Sequence, residues 1–242
     1  MSAPTDHPAA SSPHAVAPAR SGAGAIPAPA GASPKAMDFA AKSDWPGYFK
    51  SVLGKPARDT TLKAVELFGG EAGFAVDLAA GEGRDTLELL RRGWTVLAIE
   101  MLPQGIAMLR ERVPPEARAR LHTQIADYAR AWWPTCDLLN CSFALPFCPP
   151  DQFDSLWIRI VDSIRPGGRF AGQFFGDRDS WGRCGHTLGH SRRDVERLFA
   201  PFEFEMMNEE EKDDVTADGT PKHWHVFHVV ARRTSESPQR PA

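Results

Sequence analysis

The chain has 242 residues, 42% of them hydrophobic, and a formal net charge of −3. That suffices for one domain with a sizeable core, and it lacks the cationic surplus that general nucleic-acid or membrane-surface binding requires. No run approaches the roughly eighteen apolar residues of a membrane span, and four cysteines are too few for a disulfide-built secreted scaffold; the expected setting is the cytoplasm.

Residues 1–36 are mostly Ala, Pro, Ser and Gly, with Val16 and Ile26 as large aliphatics and no aromatic ring. Such a segment cannot build a core and has neither the basic start nor the apolar middle of a signal peptide, so a disordered tail is expected there. A shorter tail is expected over 234–242. Residues 37–70 read as an N-terminal helical cap segment, because Trp45, Tyr48 and Phe49 are too aromatic for a linker. Leu62, Val65 and Phe68 recur at helical spacing from Asp59 onward, and Gly69-Gly70 stops that helix.

The main domain is expected over 71–233. A strand over 73–78 leads through Gly81 and Gly83 into a helix from Arg84, and "WTVLAIE" is a second strand. Pro103 opens the next helix, where its missing N–H is harmless. "ARLHTQIAD" and "CDLLNCSF" are the third and fourth strands. Phe153, Leu156, Ile160 and Ile164 form one helical stripe, which Pro166-Gly167-Gly168 breaks before the fifth strand, "RFAGQFFG". Ser191 and Asp194 have the spacing of a capping box. Two last strands follow around 202–208 and 224–232, with the acidic "NEEEKDD" in the hairpin loop between them. Unalternating apolar runs such as "TVLAI" suit parallel strands covered on both faces. The expected fold is a Rossmann-like α/β sheet of seven strands, helices on both faces, with the last strand antiparallel.

Ligands of open α/β sheets bind beyond the carboxyl ends of the strands. Asp77 ends strand one there, and Gly81 lets backbone approach a ligand because it has no side chain. The pattern Gly81-Glu82-Gly83 lacks the third glycine of a dinucleotide turn, and Asp77 and Glu82 bring negative charge that a pyrophosphate would oppose. A ligand with a cationic or hydroxylated end fits better, and S-adenosylmethionine has both features. Glu100 closes strand two, where a carboxylate accepts from ribose hydroxyls of either kind of nucleoside ligand.

The run "VDLAAGEGRDTLELLRRGWTVLAIE" resembles the first two motifs of the class I S-adenosylmethionine-dependent methyltransferases, over about residues 45–233. It looks closest to the small-molecule branch containing the tellurite-resistance and thiopurine methyltransferases. Ala79 stands at the first of the three glycine places. The resemblance implies a cofactor set of Arg58, Asp77, Ala79, Gly81, Gly83, Glu100, Met101, Asp127, Tyr128, Asn140 and Phe143. Within it, Asp127 would face the adenine and Tyr128 or Trp132 would stack on it, while Arg58 would pair with the methionine carboxylate. Asp127 also reads as a helix cap, and one carboxylate could serve both. Tyr48, Phe147, Arg178, Trp181 and His225 are candidates for the substrate, and Asn140, Asp177 and His186 for catalysis.

No metal is expected. Cys136, Cys141 and Cys148 are spaced by five and seven residues, wider than structural zinc ligands, and His223 and His225 fall on the opposite strand face from His228. The cofactor's methyl is already activated, so the chain must mainly align the acceptor and exclude water. The expected activity is in-line methyl transfer to sulfur, selenium, tellurium or nitrogen of a small molecule, by a monomer or homodimer. A non-catalytic S-adenosylmethionine-binding protein, another reaction of that cofactor, and a nicotinamide-dependent oxidoreductase are the competing readings.

Overall fold

The computed structural model describes residues 43–128 and 130–234. The tail expected over 1–36, residues 37–42 of the cap segment, and residues 235–242 lie outside the described residues. Thr234, assigned to the second tail, donates from N and Oγ1 to the Pro201 carbonyl.

In chain order the elements are α1 (Trp45–Val52), α2 (Asp59–Leu67), β1 (Phe74–Leu78), α3 (Arg84–Arg91), β2 (Thr95–Glu100), α4 (Pro103–Arg112), β3 (Leu121–Ile125), β4 (Cys136–Cys141) and α5 (Pro150–Ser163). They continue with β5 (Ile164–Gly176), α6 (Ser180–Arg183), β6 (Gly189–His190), α7 (Arg192–Leu198), β7 (Phe202–Val215) and β8 (Pro221–Arg233). The strands run β3-β2-β1-β4-β5-β8-β7. Strands β1 to β5 are mutually parallel, and β8 lies antiparallel between β5 and β7. This is the expected mixed sheet of seven strands, with the two-residue β6 added beside β5.

Alternate residues fill the two faces, as the two-residue period of a strand requires. Val76, Leu78, Leu139, Phe170, Phe174 and Phe227 pack with Phe153, Leu156, Trp157 and Ile160 of α5 and with Val195 and Leu198 of α7. Ala75, Val96, Ala98, Leu138, Ala171 and Val230 face α2, α3 and α4 through Ala64, Val65, Leu89, Leu90 and Leu109. Each fully buried large side chain contributes about 1.5–3 kcal/mol.

Two expectations are corrected. Ile164 is the first residue of β5, paired with Cys136; the Pro166-Gly167-Gly168 stretch falls at the register shift before Arg169 pairs with Leu138. The acidic run is strand: Glu209 to Asp214 pair with Phe227 to Lys222, and the turn lies over 216–220. An edge strand accepts such residues because its outer half is hydrated on both faces. Helix α6 and strand β6 were not anticipated from the sequence.

Candidate functional site

The strand order reverses at β1, whose neighbours are β2 and β4, so the crevice beyond β1 is the switch point where this architecture takes ligands. The chain turns there through three left-handed residues: Ala79 (φ 55°), Gly81 (φ 58°) and Gly83 (φ 90°). A Cβ on Gly83 would meet Leu109 Cδ1 at 2.3 Å, and one on Gly81 would lie 3.2 Å from Phe49 Cε1 of α1. Ala79 keeps a conformation that costs a non-glycine residue about 1–2 kcal/mol. Glu100 braces the turn: Gly81 N donates to its Oε2 (3.0 Å) and Leu102 N to its Oε1 (2.9 Å). Burial raises the Glu100 carboxyl above its usual range. Its neighbour Met101 is exposed.

Asp77 is buried in a polar network. Thr86 Oγ1 donates to its Oδ2 (2.5 Å), and Asn140 Nδ2 to its Oδ1 (2.8 Å). Asn140 Nδ2 also lies 3.2 Å from Asp85 Oδ2, and Asn140 Oδ1 accepts from Thr61. Asp85 accepts from Ser142 Oγ (2.6 Å) and from the backbone N of Arg58 (2.7 Å). Burial, then the charge of Asp85, pushes Asp77 up to about 7, against the opposing hydrogen bonds of Thr86 and Asn140. Asn140 therefore braces two carboxylates with its amide group. Glu82 is buried in the turn with no hydrogen-bond partner at Oε1, 3.8 Å from Arg112, and burial raises its carboxyl too.

The N-terminal segment closes over this end. Arg84 Nε donates to the Pro56 carbonyl. Arg58 donates to Tyr48 Oη (3.0 Å), and its guanidinium carbon lies 4.4 Å from the centre of the Phe143 ring. Phe143 is left-handed (φ 54°), held by donation from its N to Gln173 Oε1 (3.0 Å); Gln173 in turn donates to Thr60.

Beyond Phe143 the crevice is walled by rings. Trp45 meets Phe147 edge-on at 5.1 Å, and Phe147 meets Phe175 and Trp181 at 6.2 Å each. Behind them Lys222 and Asp179 form an ion pair with both side chains fully buried. Its ammonium sits among Trp224 (3.8 Å), Phe175 and Trp181 (both 4.7 Å).

The remaining candidates lie farther out. Arg178 is half exposed and donates to Glu209 and Glu211, which hold its guanidinium in the charged form. His225 is buried: its Nδ1 accepts from Arg178 N, which leaves Nε2–H to donate to Glu209 (2.9 Å). The ring seats against Gly176, where a Cβ would lie 1.9 Å from Nδ1. Asp177 is exposed, 3.5 Å from both Arg178 and His225. His186 is half-buried, its N bonded to the Trp181 carbonyl. Asp127 is exposed just past β3, and its carbonyl accepts from Arg130 N and Ala131 N. Tyr128 donates to the Ala144 carbonyl, its phenol raised by burial, while Trp132 is 73% exposed. Cys136, Cys141 and Cys148 are buried thiols, pushed upward by burial. Among the described residues no group of three His, Cys, Asp or Glu side chains is placed to hold a metal, and no helix is long and apolar enough to cross a membrane.

The structure thus brings Arg58, Tyr48, Asp77, Gly81, Glu100, Asn140 and Phe143 to one end of the sheet and leaves Arg178 and His225 in the β7–β8 ion cluster. Sequence reasoning missed Asp85, Thr86, Ser142 and Gln173. Asp85 and Thr86 had one signal, polar residues in the first turn of the helix after the glycines; Gln173 had none.

Residues 75–168 match a family model described as a methyltransferase domain. Over 54 residues the chain is 39% identical to magnesium-protoporphyrin O-methyltransferase of Rhodobacter capsulatus, a match covering 22% of this chain and 24% of that protein. Among solved structures it resembles TehB from Haemophilus influenzae (TM-score 0.62, 16% identity, 83% of this chain and 67% of that one). It also resembles the 1,6-didemethyltoxoflavin-N1-methyltransferase of Burkholderia thailandensis, solved with 1,6-didemethyltoxoflavin and S-adenosylhomocysteine (0.62, 19%, 84% and 88%). The magnesium protoporphyrin IX methyltransferase of Synechocystis PCC 6803, solved with S-adenosylmethionine, is similar too (0.60, 10%, 82% and 95%). Residues 75–168 are therefore a methyltransferase domain, carried in a chain with the fold of the class I S-adenosylmethionine-dependent methyltransferases.

Proposed function

We propose that this chain transfers the methyl group of S-adenosylmethionine to a sulfur, selenium, tellurium or nitrogen atom of a small molecule by direct in-line displacement. One observation carries the reading: the left-handed turn from Ala79 to Gly83 lies between two buried acids, Asp77 and Glu100, whose carboxyls burial pushes upward. Buried carboxylates favour a ligand that brings positive charge and oppose a pyrophosphate. When bound, the cofactor supplies an activated methyl on a cationic sulfur.

The chain's own residues bind and orient. Glu100 accepts from the ribose hydroxyls, with Met101 and Tyr128 flanking the nucleoside and Asp127 accepting from the adenine amine. Gly81 and Gly83 allow backbone approach. Asp77, braced by Thr86 and Asn140, faces the ammonium, and Arg58 takes the carboxylate. On the acceptor side, Tyr48, Phe147 and Trp181 wall the crevice and exclude water, which suits a small apolar acceptor. Asp177 and His186 remain candidates for a base if the acceptor carries a proton. This reading places a monomer or homodimer in the cytoplasm, with no nucleic acid involved. Titration calorimetry tests it: S-adenosylhomocysteine should bind and NAD should not, and Glu100→Ala should weaken binding at least about tenfold, the worth of a hydrogen bond to a charged group. Unchanged affinity in a folded Glu100→Ala chain would remove the ribose assignment.

A further inference from the structure

A second concave surface lies at the far end of α4, beside the open edge of the sheet at β3. This hollow of about 550 Å³ is lined by Arg110, Val113, Arg118, Leu121, His122 and Thr123. Helix α4 begins against the glycine turn, where a Cβ on Gly105 would meet the Gly81 carbonyl oxygen at 2.6 Å. Its 10 residues then carry the chain about 15 Å away, so the hollow is separate from the crevice beyond β1. Three nitrogen-bearing side chains reach it from three elements: Arg110 from the last turn of α4, Arg118 from the short 3-10 turn Pro115–Arg120, and His122 from β3. No carboxylate lines it, and among the described residues none of the three has an ion-pair partner. A helix C-terminus favours a nearby cation, which accounts for Arg110 but not for the other two. Arg110 Nη2 donates to Thr123 Oγ1 (2.5 Å), which aims that guanidinium along the wall. Arg120, in the same 3-10 turn, adds a guanidinium bonded only to the carbonyls of Glu116 (3.4 Å) and Leu90 (3.1 Å), with Nε buried and unpartnered. Unneutralised cations of one sign around a concave surface focus a positive potential there.

We propose that this hollow is a second ligand site, which binds a small phosphate monoester through Arg110 and Arg118. Guanidinium groups present paired donors that match phosphate oxygens, and the Thr123 hydroxyl and a His122 N–H add further donors. Val113 is buried and Leu121 half-buried, so the floor offers apolar contact to the body of the ligand as well as charge to its phosphate. The volume lies within the roughly 300–1,000 Å³ typical of small-molecule pockets. The proposal is independent of the cofactor reading, because no residue of the hollow belongs to the glycine turn or its acids.

Titration calorimetry on the full chain at low salt, with ribose 5-phosphate, inorganic phosphate and ribose, tests this. Ribose 5-phosphate should bind with a Kd of about 1 mM or tighter, inorganic phosphate more weakly, and ribose not measurably. Arg110→Ala and Arg118→Ala should each weaken ribose 5-phosphate at least about fivefold, and Arg118→Lys should recover only part of the loss, since an ammonium lacks the paired donors. Both arginines are exposed, so their removal leaves the core untouched. Arg193→Ala, an exposed change on α7, should leave phosphate binding as it is, and Arg118→Ala should leave S-adenosylhomocysteine affinity as it is. Ribose 5-phosphate binding that is absent from the wild-type chain, that survives loss of both arginines, or that falls equally in Arg193→Ala overturns the proposal. So does equal affinity for inorganic phosphate, or a short DNA duplex that binds more tightly than ribose 5-phosphate through the same arginines. A parallel loss of S-adenosylhomocysteine in Arg118→Ala would merge the hollow with the crevice and overturn it as a separate site.

Discussion

Asp77 is a carboxylate the fold makes hard to ionise. Its folded-state pKa, about 7, lies above the ordinary aspartate value. The stability this residue contributes is therefore fully present below the unfolded pKa near 4 and is lost as pH rises through about 7. A cationic ligand reverses the preference by favouring the charged form. Cofactor affinity should then rise about tenfold between pH 6 and pH 8, with about three quarters of a proton released per ligand bound at pH 6.5. Calorimetry in buffers of different ionisation enthalpy reads that release, and Asp77→Asn should abolish it. Absence of proton release in the wild-type chain would contradict the pairing of Asp77 with the ligand's charge. At this scale the sequence named the two acids and the glycines, because they sit in one short run with a recognisable turn. It could not name their supports. Thr61, Asp85 and Gln173 come from α2, α3 and β5, and only the folded sheet brings them to Asn140 and Phe143.

Among the elements, the start of β8 is fixed by a pair with no sequence signature. Lys222 and Asp179 are fully buried, and Asp179 also accepts from Trp181 N and His225 N, joining α6 to β8. Removing one partner of such a pair strands a charge in apolar surroundings, at about 3–5 kcal/mol. Lys222→Met should lower urea-unfolding stability by that order. Pairing it with Asp179→Asn, which keeps the cap oxygen, should recover at least about 1 kcal/mol relative to the sum of the single changes. Strict additivity would show that the two side chains do not interact. The same hairpin shows why local pattern misled. Residues 208–214 carry almost no apolar side chain, so nothing in them spells strand; β8 imposes the conformation by pairing along their full length. The parallel strands, by contrast, were plain, because double-sided burial leaves runs such as Thr95–Glu100 almost wholly apolar.

For the whole molecule, the two covered faces followed from the alternation of strands and helices, whereas the lateral order of the strands, and with it the switch point at β1, depends on contacts between distant segments. The most consequential of these is the insertion of β8 between β5 and β7. Of the described strands, the one synthesised last is an interior one, flanked on both sides by strands made earlier. While the ribosome is still extending the chain, β5 has a bare edge toward that gap, and β7 has no neighbour to hold it. Both are ready templates for pairing with another nascent chain. A polypeptide cut before Pro221 should accordingly be recovered in the insoluble fraction despite retaining the entire glycine turn and its acids, while soluble monomer from that cut would mean the earlier strands can close without it. Biogenesis of this fold is therefore gated by the dozen or so residues of β8, and a chaperone that shields the open seam would act at that moment.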